Sequence, residues 1–355
     1  MRCLVTSSRP YDRDFLTAAN ASRHDLVFIE TPLRRETAEF AKGFPAVCAF
    51  VDDALNRDVL EILSAGGCRL LALRSTGFNH VDLSAAADLG ITVMRVRDYS
   101  PYAVAEFALS LMLTLNRRVH KAYNRVREGN FLLDGLLGFD MHGKTVGLIG
   151  TGKIGTALAR ILHGMGCRLL GYDPVPHEVC RSLGMQYVSR EVLLAESQII
   201  SLHVPLTPET YHFINAESLR RMPKGAILIN TSRGALVDTV ALIESLKQHH
   251  IGAVGLDVYE EEAAIYFQNL TDEIIHDDLF ARLITFPNVV VTGHQAFFTV
   301  EAIRTIAQTT IANLDDFSAG RRNDNIVSVA PLGNDTDGSM IGKKSPANSN
   351  TPIAP

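Results

Sequence analysis

Six residues, Gly150-Thr151-Gly152-Lys153-Ile154-Gly155, spell a G-x-G-x-x-G turn directly after the apolar run Thr145-Val146-Gly147-Leu148-Ile149. Between a strand and a helix, that spacing binds a dinucleotide pyrophosphate. Gly150 permits the tight turn, Gly152 lets backbone N–H groups approach the phosphates, and Gly155 lets helix and strand pack closely with the helix N-terminus facing the anion. A second apolar run, Leu169-Leu170-Gly171-Tyr172, ends in Asp173, 18 residues beyond Gly155. A carboxylate there accepts the hydroxyls of an adenosine ribose and repels a 2′-phosphate. Pro174 follows and the next arginine is Arg181, so NAD is expected over NADP.

A second set of residues could move protons and hold an anion. Arg233 stands between the small residues Ser232 and Gly234 after the apolar run Ala226–Asn230. Its planar fork suits a carboxylate held bidentately. His294 follows Val289-Val290-Val291-Thr292-Gly293, and Asp257-Val258-Tyr259-Glu260-Glu261-Glu262 ends another apolar run in acids. A histidine is the natural proton donor or acceptor near neutral pH, and a carboxylate beside it fixes its tautomer. His203, at the end of Ile199–Leu202, reads from the residues alone as a structural histidine.

These positions make sense only if strand ends share one edge of a sheet. Strands are expected at Cys3–Ser7, Asp25–Glu30, Ala46–Val51, Leu70–Arg74 and Ile91–Arg95, with helical patterns between them such as Asp12–Ala21 and Asp58–Ala65. After the glycine turn, strands are expected at Leu169–Tyr172, Ile199–His203, Ala226–Asn230, Ala253–Asp257 and Val289–Thr292. Helices fall near Ile154–His163, Val192–Glu196, Ala216–Arg221 and Thr239–Gln248. Alternation with short connections means parallel α/β sheets, and in such sheets ligands sit beyond the carboxyl ends of strands. One long helix is expected from Pro101 to about Gly129, capped by Ser100 and carrying an apolar face of Leu109, Leu113, Val119 and Tyr123. Residues 259–287 read as a long loop, and Val300–Ser318 as a helix long enough to return to the first sheet.

The expected architecture is α/β with two doubly wound parallel-sheet domains, a Rossmann-type NAD domain at 101–298 inserted into a flavodoxin-like substrate domain at 1–100 and 299–332. Residues 333–355, rich in Asn, Ser, Gly, Asp and Pro, bury too little apolar area to offset ordering entropy and read as a disordered tail. At 355 residues with 46% hydrophobic content the chain can support two cores, and a net charge of −5 argues against nucleic acid or an anionic membrane as partner. Five scattered cysteines, Cys3, Cys48, Cys68, Cys167 and Cys180, fit a reducing compartment rather than disulfides or zinc, and no metal is expected. Residues 1–8 are too short for a signal sequence, and no run reaches the roughly 18–20 apolar residues of a membrane span, so a cytoplasmic protein is expected.

The motifs Gly150–Gly155, Leu202-His203-Val204-Pro205-Leu206-Thr207-Pro208-Glu209-Thr210 and Asn230-Thr231-Ser232-Arg233-Gly234-Ala235-Leu236-Val237-Asp238 resemble the signatures of the D-isomer-specific 2-hydroxyacid dehydrogenases. Gly293-His294-Gln295-Ala296-Phe297-Phe298-Thr299, Ser75-Thr76-Gly77-Phe78-Asn79-His80-Val81-Asp82 and Asp98-Tyr99-Ser100-Pro101 are similar to the D-lactate dehydrogenase branch of that family. The likeness runs from about residue 2 to 330. It implies an NAD-dependent oxidoreductase acting on a small 2-keto or 2-hydroxy acid, with Arg233 binding the substrate, His294 as general acid/base and Glu262 as its partner. The family's glutamate lies five residues after the strand-end aspartate, which selects Glu262 over Glu260 and Glu261. By the same resemblance Gly150, Gly152, Lys153, Ile154 and Gly155 meet the pyrophosphate and Asp173 the ribose. His203, Val204, Pro205 and Thr210 fall on the adenine side, and Thr231, Ser232 and Asp257 towards the nicotinamide. Thr76, Gly77 and Tyr99 contact substrate, with Phe50 and Phe297 walling its side chain. A homodimer or dimer of dimers packed through the long helix is a family expectation. Pyruvate leads as substrate, with glyoxylate, hydroxypyruvate, phenylpyruvate and branched 2-keto acids as alternatives. Formate dehydrogenases lack the glutamate. An NADH-sensing corepressor is the reading from another class. Many relatives carry Ala-Glu-His where this chain has Ala105-Glu106-Phe107, which bears on an interdomain contact rather than on the chemistry.

Overall fold

A computed structural model describes residues 1–262 and 265–327. The expected tail at 333–355 lies outside the described residues. Thirteen strands are present among them: β1 Arg2–Val5, β2 Asp25–Phe28, β3 Ala46–Ala49, β4 Leu70–Leu73, β5 Thr92–Met94, β6 Thr145–Ile149, β7 Arg168–Tyr172, β8 Gln186–Tyr187, β9 Ile199–Leu202, β10 Ile227–Asn230, β11 Ala253–Leu256, β12 Val289–Val291 and β13 Ile326–Val327. They form a six-stranded sheet in the order β13-β5-β4-β3-β1-β2 and a seven-stranded sheet in the order β12-β11-β10-β9-β6-β7-β8. Every pairing is parallel except the antiparallel β13–β5 edge. The first is a flavodoxin-type order and the second a Rossmann-type order, so the protein has two doubly wound α/β sheets.

The short strands are apolar on both faces, as a sheet covered on both sides demands. In β10, Ile227 and Ile229 enter one core layer while Leu228 enters the opposite one. Leu71 and Leu73 of β4 likewise face away from Leu70 and Ala72. The helix Val300–Ser318 starts where Thr299 accepts the Ala302 N–H at 3.2 Å. It returns to the first sheet, burying Ala307, Ile311 and Leu314 beside Cys3 and Val5.

Two expectations change. The helix expected over 101–129 is two, Pro101–Arg117 and Val119–Arg127. Arg118 adopts φ +50°, and the buried Asn116 turns its amide to both backbone groups of Phe139, accepting its N–H at 2.9 Å and donating to its carbonyl at 2.7 Å. Val119 and Tyr123, expected on the apolar face, are therefore exposed, and the buried face is Ala105, Ala108, Leu111, Met112 and Leu115. The stretch read as an unbroken loop over 259–287 contains a helix, Asp278–Ile284, capped by Asp277. Its apolar periodicity of Phe280 and Leu283 is only one turn long, too short to stand out.

The carboxyl edge of the first sheet is stapled by two buried charges. Asp53, 1% exposed, accepts the Thr6 and Ser7 hydroxyls at 2.7 and 2.8 Å and the Leu33 and Phe50 N–H groups at 2.7 Å each. Arg74, 2% exposed, donates to the carbonyls of Cys48 and Thr6, at 3.1 and 2.9 Å, and has Asp12 at 3.4 Å. Asp53→Ala takes the acceptor from the Ser7 hydroxyl and the Leu33 and Phe50 N–H groups, leaving the Thr6 hydroxyl only the Cys48 carbonyl at 3.3 Å. We expect chemical denaturation to show a loss of about 3–5 kcal/mol, and a loss below about 1 kcal/mol would contradict the stapling role.

Candidate active site

Arg233 leaves β10 through a turn that its neighbours hold. The buried Asn230 amide donates to the Arg233 carbonyl at 2.8 Å and accepts the Ser232 N–H at 3.0 Å. Ser232 donates its hydroxyl across to the Leu202 carbonyl of β9 at 2.7 Å. Two glycines permit close approaches, one to a side chain and one to backbone. A Cβ on Gly77 would stand 2.7 Å from Arg233 Nη2, and one on Gly234 would collide with the Tyr259 backbone. The Arg233 turn thus packs directly on the segment that carries Glu262.

His294 is fixed from the other side. Its φ is +54°, a sparsely populated region for a residue with a side chain, and its N–H donates to the Asp257 carbonyl at 2.8 Å. The Asp257 carboxylate is fully buried and accepts the Thr292 hydroxyl at 2.6 Å and the N–H groups of Gln295 and Ala296 at 2.9 and 2.7 Å. Burial pushes this carboxyl up from its ordinary range, while those donors pull it back. His294 Nδ1 lies 2.9 Å from Glu262 Oε1, and Glu262 Oε2 accepts the Tyr259 N–H at 2.9 Å. The carboxylate therefore holds Nδ1 and leaves Nε2 as the ring nitrogen for chemistry.

Arg233, Glu262 and His294 line one cleft of about 550 Å³ together with Thr76, Gly77, Tyr99, Phe50 and Phe297. Both sheets contribute walls. Tyr99 meets Phe297 edge to face at 6.2 Å between ring centres, and burial pushes its phenol up. Two features were not foreseen. Arg74 and Asp53 also line this cleft, and both sit just past apolar strands, the same signal that marked Arg233. Phe267 meets Phe50 at 5.2 Å and the His294 ring at 5.9 Å, and its carbonyl accepts Arg9 Nη2 at 3.0 Å. No periodic pattern marks that residue.

An adjoining cleft of about 500 Å³ is lined by Gly152, Lys153, Ile154, His203, Val204, Pro205, Thr231, Ser232 and Asp257 and reaches Arg233 and His294. Its form fits a dinucleotide. A Cβ on Gly150 would strike the His203 carbonyl and one on Gly155 the Gly150 carbonyl, whereas one on Gly152 would meet no protein atom, leaving that side open for phosphates. Thr231 presents a buried hydroxyl with no partner among the described residues. Asp173 lies against the glycine turn, its carboxylate accepting the Thr151 N–H at 2.7 Å. Thr210 is not among the lining residues. Its hydroxyl donates to the Pro205 carbonyl at 2.7 Å and accepts the Thr207 N–H at 2.7 Å, holding the loop that presents Val204 and Pro205. Asp257 and Ser232 likewise spend their side chains on protein groups. Among the described residues no His/Cys/Asp/Glu group could hold a metal ion, and no helix is long and apolar enough to cross a membrane.

Residues 109–296 match the family model of the D-isomer specific 2-hydroxyacid dehydrogenase, NAD binding domain. The chain therefore belongs to the D-isomer specific 2-hydroxyacid dehydrogenase family and is an NAD-dependent oxidoreductase. It is 50% identical over 321 residues to D-lactate dehydrogenase of Escherichia coli K12, covering 90% of this chain and 98% of that one. It is 49% identical over 328 residues to a 2-hydroxyacid dehydrogenase homolog of Haemophilus influenzae, covering 92% and 99%. The apo-structure of the Escherichia coli D-lactate dehydrogenase superposes with a TM-score of 0.85 at 48% identity, over 92% of this chain and all 100% of that chain.

His203 offers a pH test of this cleft. Its Nε2 pairs with the Ser201 hydroxyl at 2.9 Å, its Nδ1 is shielded without a partner, and burial pushes the imidazole from the usual 6.5 down to about 4. The native state holds it neutral, whereas the unfolded chain takes up a proton as pH falls through 6.5. Stability is thus lost on the acid side, between about pH 6.5 and 4, and unaffected above it. In thermal or urea unfolding, His203→Asn should remove about 1–2 kcal/mol of the wild-type decline between neutral pH and about pH 4.5. Parallel curves for the two proteins would refute the buried neutral imidazole.

Proposed function

We propose that this protein is a D-lactate dehydrogenase that interconverts pyruvate and D-lactate. The observation that carries the reading is the meeting of the Arg233 guanidinium and the Glu262-held imidazole of His294 in an aromatic-walled cleft beside the nucleotide cleft. Arg233 pairs with the substrate carboxylate and lies beside the carbonyl oxygen, where it stabilises the charge that grows during reduction. Thr76 and Gly77 offer backbone N–H groups to the same carboxylate. NADH bound in the adjoining cleft supplies the hydride. His294 Nε2 gives its proton to the carbonyl oxygen in the reducing direction and takes it back in the oxidising one, a role worth roughly 10²–10⁴-fold in rate. Glu262 keeps Nδ1–H in place, so the transferable proton stays on Nε2. Phe50, Tyr99 and Phe297 close the pocket around a methyl-sized side chain. Lys153 and Ile154 meet the pyrophosphate through their N–H groups, Asp173 the ribose, and Val204 and Pro205 the adenine side.

The reading extends to domain limits and assembly. It takes 101–298 as the NAD domain inserted between 1–100 and 299–332, of which 328–332 lie outside the described residues. It takes the molecule as a dimer that covers the apolar surface after Arg117. Val126, Phe131, Leu132, Leu133 and Leu137 are all more than half exposed there, with Leu137 at 91%. Five free thiols, four of them buried, suit cytoplasmic residence, which cell fractionation would check. Sedimentation velocity should give twice the chain mass for the wild type and the chain mass for Leu133→Asp. A wild-type monomer would end the dimer proposal.

The activity is tested by following NADH with pyruvate, glyoxylate, hydroxypyruvate, phenylpyruvate and branched 2-keto acids, then running the reverse reaction with D- and L-lactate. Pyruvate should give the highest kcat/KM, and only D-lactate should be oxidised. Turnover of L-lactate alone would overturn the reading. Arg233→Lys should raise KM for pyruvate roughly 10–100-fold, because a point charge cannot replace the bidentate fork. A KM within twofold of wild type would remove Arg233 from carboxylate binding.

A further inference from the structure

β8 is a two-residue strand at the edge of the seven-stranded sheet, and no motif marks it. Its Tyr187 nevertheless reaches the nucleotide turn. The phenol oxygen accepts the His177 N–H at 2.8 Å and lies 2.8 Å from Thr151 Oγ1. Thr151, 1% exposed, lies with Oγ1 at 3.1 Å and its backbone N at 2.7 Å from Asp173 Oδ2. Asp173 Oδ1 accepts the Val175 N–H at 2.9 Å. On the other side, the Thr156 hydroxyl donates to the Thr151 carbonyl at 2.8 Å.

The direction of this chain follows from proton count. A hydroxyl has one hydrogen to give. Asp173, as a carboxylate, can only accept, so the Thr151 hydrogen goes to Oδ2. Thr151 Oγ1 must then accept from Tyr187, whose own oxygen is left to accept from His177. Every hydrogen from His177 to Asp173 points the same way. The ring of Tyr187 also lies under the Arg181 guanidinium, 5.6 Å from its centre. Arg181 is the first arginine after Asp173, the side chain a 2′-phosphate would need.

We propose that Tyr187 is a positioning residue for nucleotide selection. Acting through Thr151, it orients the Asp173 carboxylate to accept both hydroxyls of the adenosine ribose, and so sets the preference for NADH over NADPH. Without the phenol hydroxyl, Thr151 Oγ1 loses its donor and can turn, so Asp173 keeps the Thr151 and Val175 N–H groups but loses the hydroxyl that shares Oδ2. Held by two donors instead of three, the carboxylate can tilt away from one hydroxyl of a vicinal diol and weaken that hydrogen bond. The inference rests on Asp173 meeting the ribose and is independent of which keto acid is reduced.

The test is a fluorescence titration of NADH and of NADPH, without keto acid, on the full-length wild type, Tyr187→Phe, Thr151→Ser and Thr151→Val. Tyr187→Phe keeps the ring under Arg181 and removes only the hydroxyl. It should weaken NADH about 5–20-fold while changing NADPH less than twofold, so the selectivity ratio falls. Thr151→Ser should behave as wild type and Thr151→Val as Tyr187→Phe, which also serves if Tyr187→Phe does not fold. An unchanged NADH affinity in Tyr187→Phe overturns the proposal. So does equal weakening of both nucleotides, the mark of general loosening. Failure to reduce pyruvate would end the functional reading and leave these affinities to stand or fall separately.

Discussion

A carboxylate with no solvent exposure holds the working edge of the second sheet together. Asp257 directly follows β11, yet its donors all come from the segment after β12: the Thr292 hydroxyl and the N–H groups of Gln295 and Ala296. A buried charge is tolerated only when hydrogen bonds replace its lost water, and here those bonds do geometric work as well. They wrap residues 292–296 around one anchor, and the Asp257 carbonyl takes the His294 N–H at 2.8 Å. The +54° φ of His294 is then over-determined by its neighbours rather than chosen by the residue itself. If that anchor were loosened, the imidazole would fall back to a commoner conformation and leave Glu262.

The same edge is made compact by absent side chains. β10, β11 and β12 are adjacent and parallel, so Arg233, Glu262 and His294 all emerge at their carboxyl ends. Adjacency alone leaves strand ends about 5 Å apart with turns in between. Gly234 brings the Arg233 turn onto the Tyr259 backbone, and Gly77 brings the other sheet's loop to within contact of the guanidinium. Buried charge and missing Cβ thus act on different coordinates. The first fixes the orientation of a histidine, and the second fixes how close a cation can come to it.

Much of this was legible in the residues because the informative ones sit where chain geometry restricts choice. A glycine that must pass under a carbonyl, or a charge directly after an apolar strand, leaves a trace that spacing reveals. The parallel α/β class of both sheets follows from alternation, and Arg233 and His294 are marked by the apolar runs before them, whereas Glu262 stands out from Glu260 and Glu261 only through the family resemblance. What escaped has a common physical character. The break at Arg118 depends on Asn116 bonding to Phe139, a contact between residues far apart in sequence. Phe267 and Tyr187 likewise act through partners in other segments, and neither belongs to a periodic run. Thr210 shows the opposite error of scale: its place in the motif pointed to the ligand, but its hydroxyl is satisfied by the loop itself.

The two clefts share polar groups held by the protein and polar groups left unpaired. On the substrate side, Asp53 spends both oxygens on protein donors and holds Phe50, while Arg74 donates its Nη atoms to the Cys48 and Thr6 carbonyls and keeps a buried Nε without a hydrogen-bond partner among the described residues. On the nucleotide side, the Thr231 hydroxyl stays buried and unpaired among the described residues, and Asp173 is aligned by the chain through Thr151. A wall needs only to be rigid, so its polar groups can be fully paired within the protein. A binding group must keep acceptor or donor capacity for its ligand, and an unpaired buried hydroxyl carries a desolvation cost until the ligand arrives. Unpaired buried polar atoms line both clefts, Asp52 Oδ1, His80 Nε2 and Tyr266 Oη on the substrate side and Thr231 Oγ1 on the nucleotide side, so each can discriminate by hydrogen bonds as well as by shape.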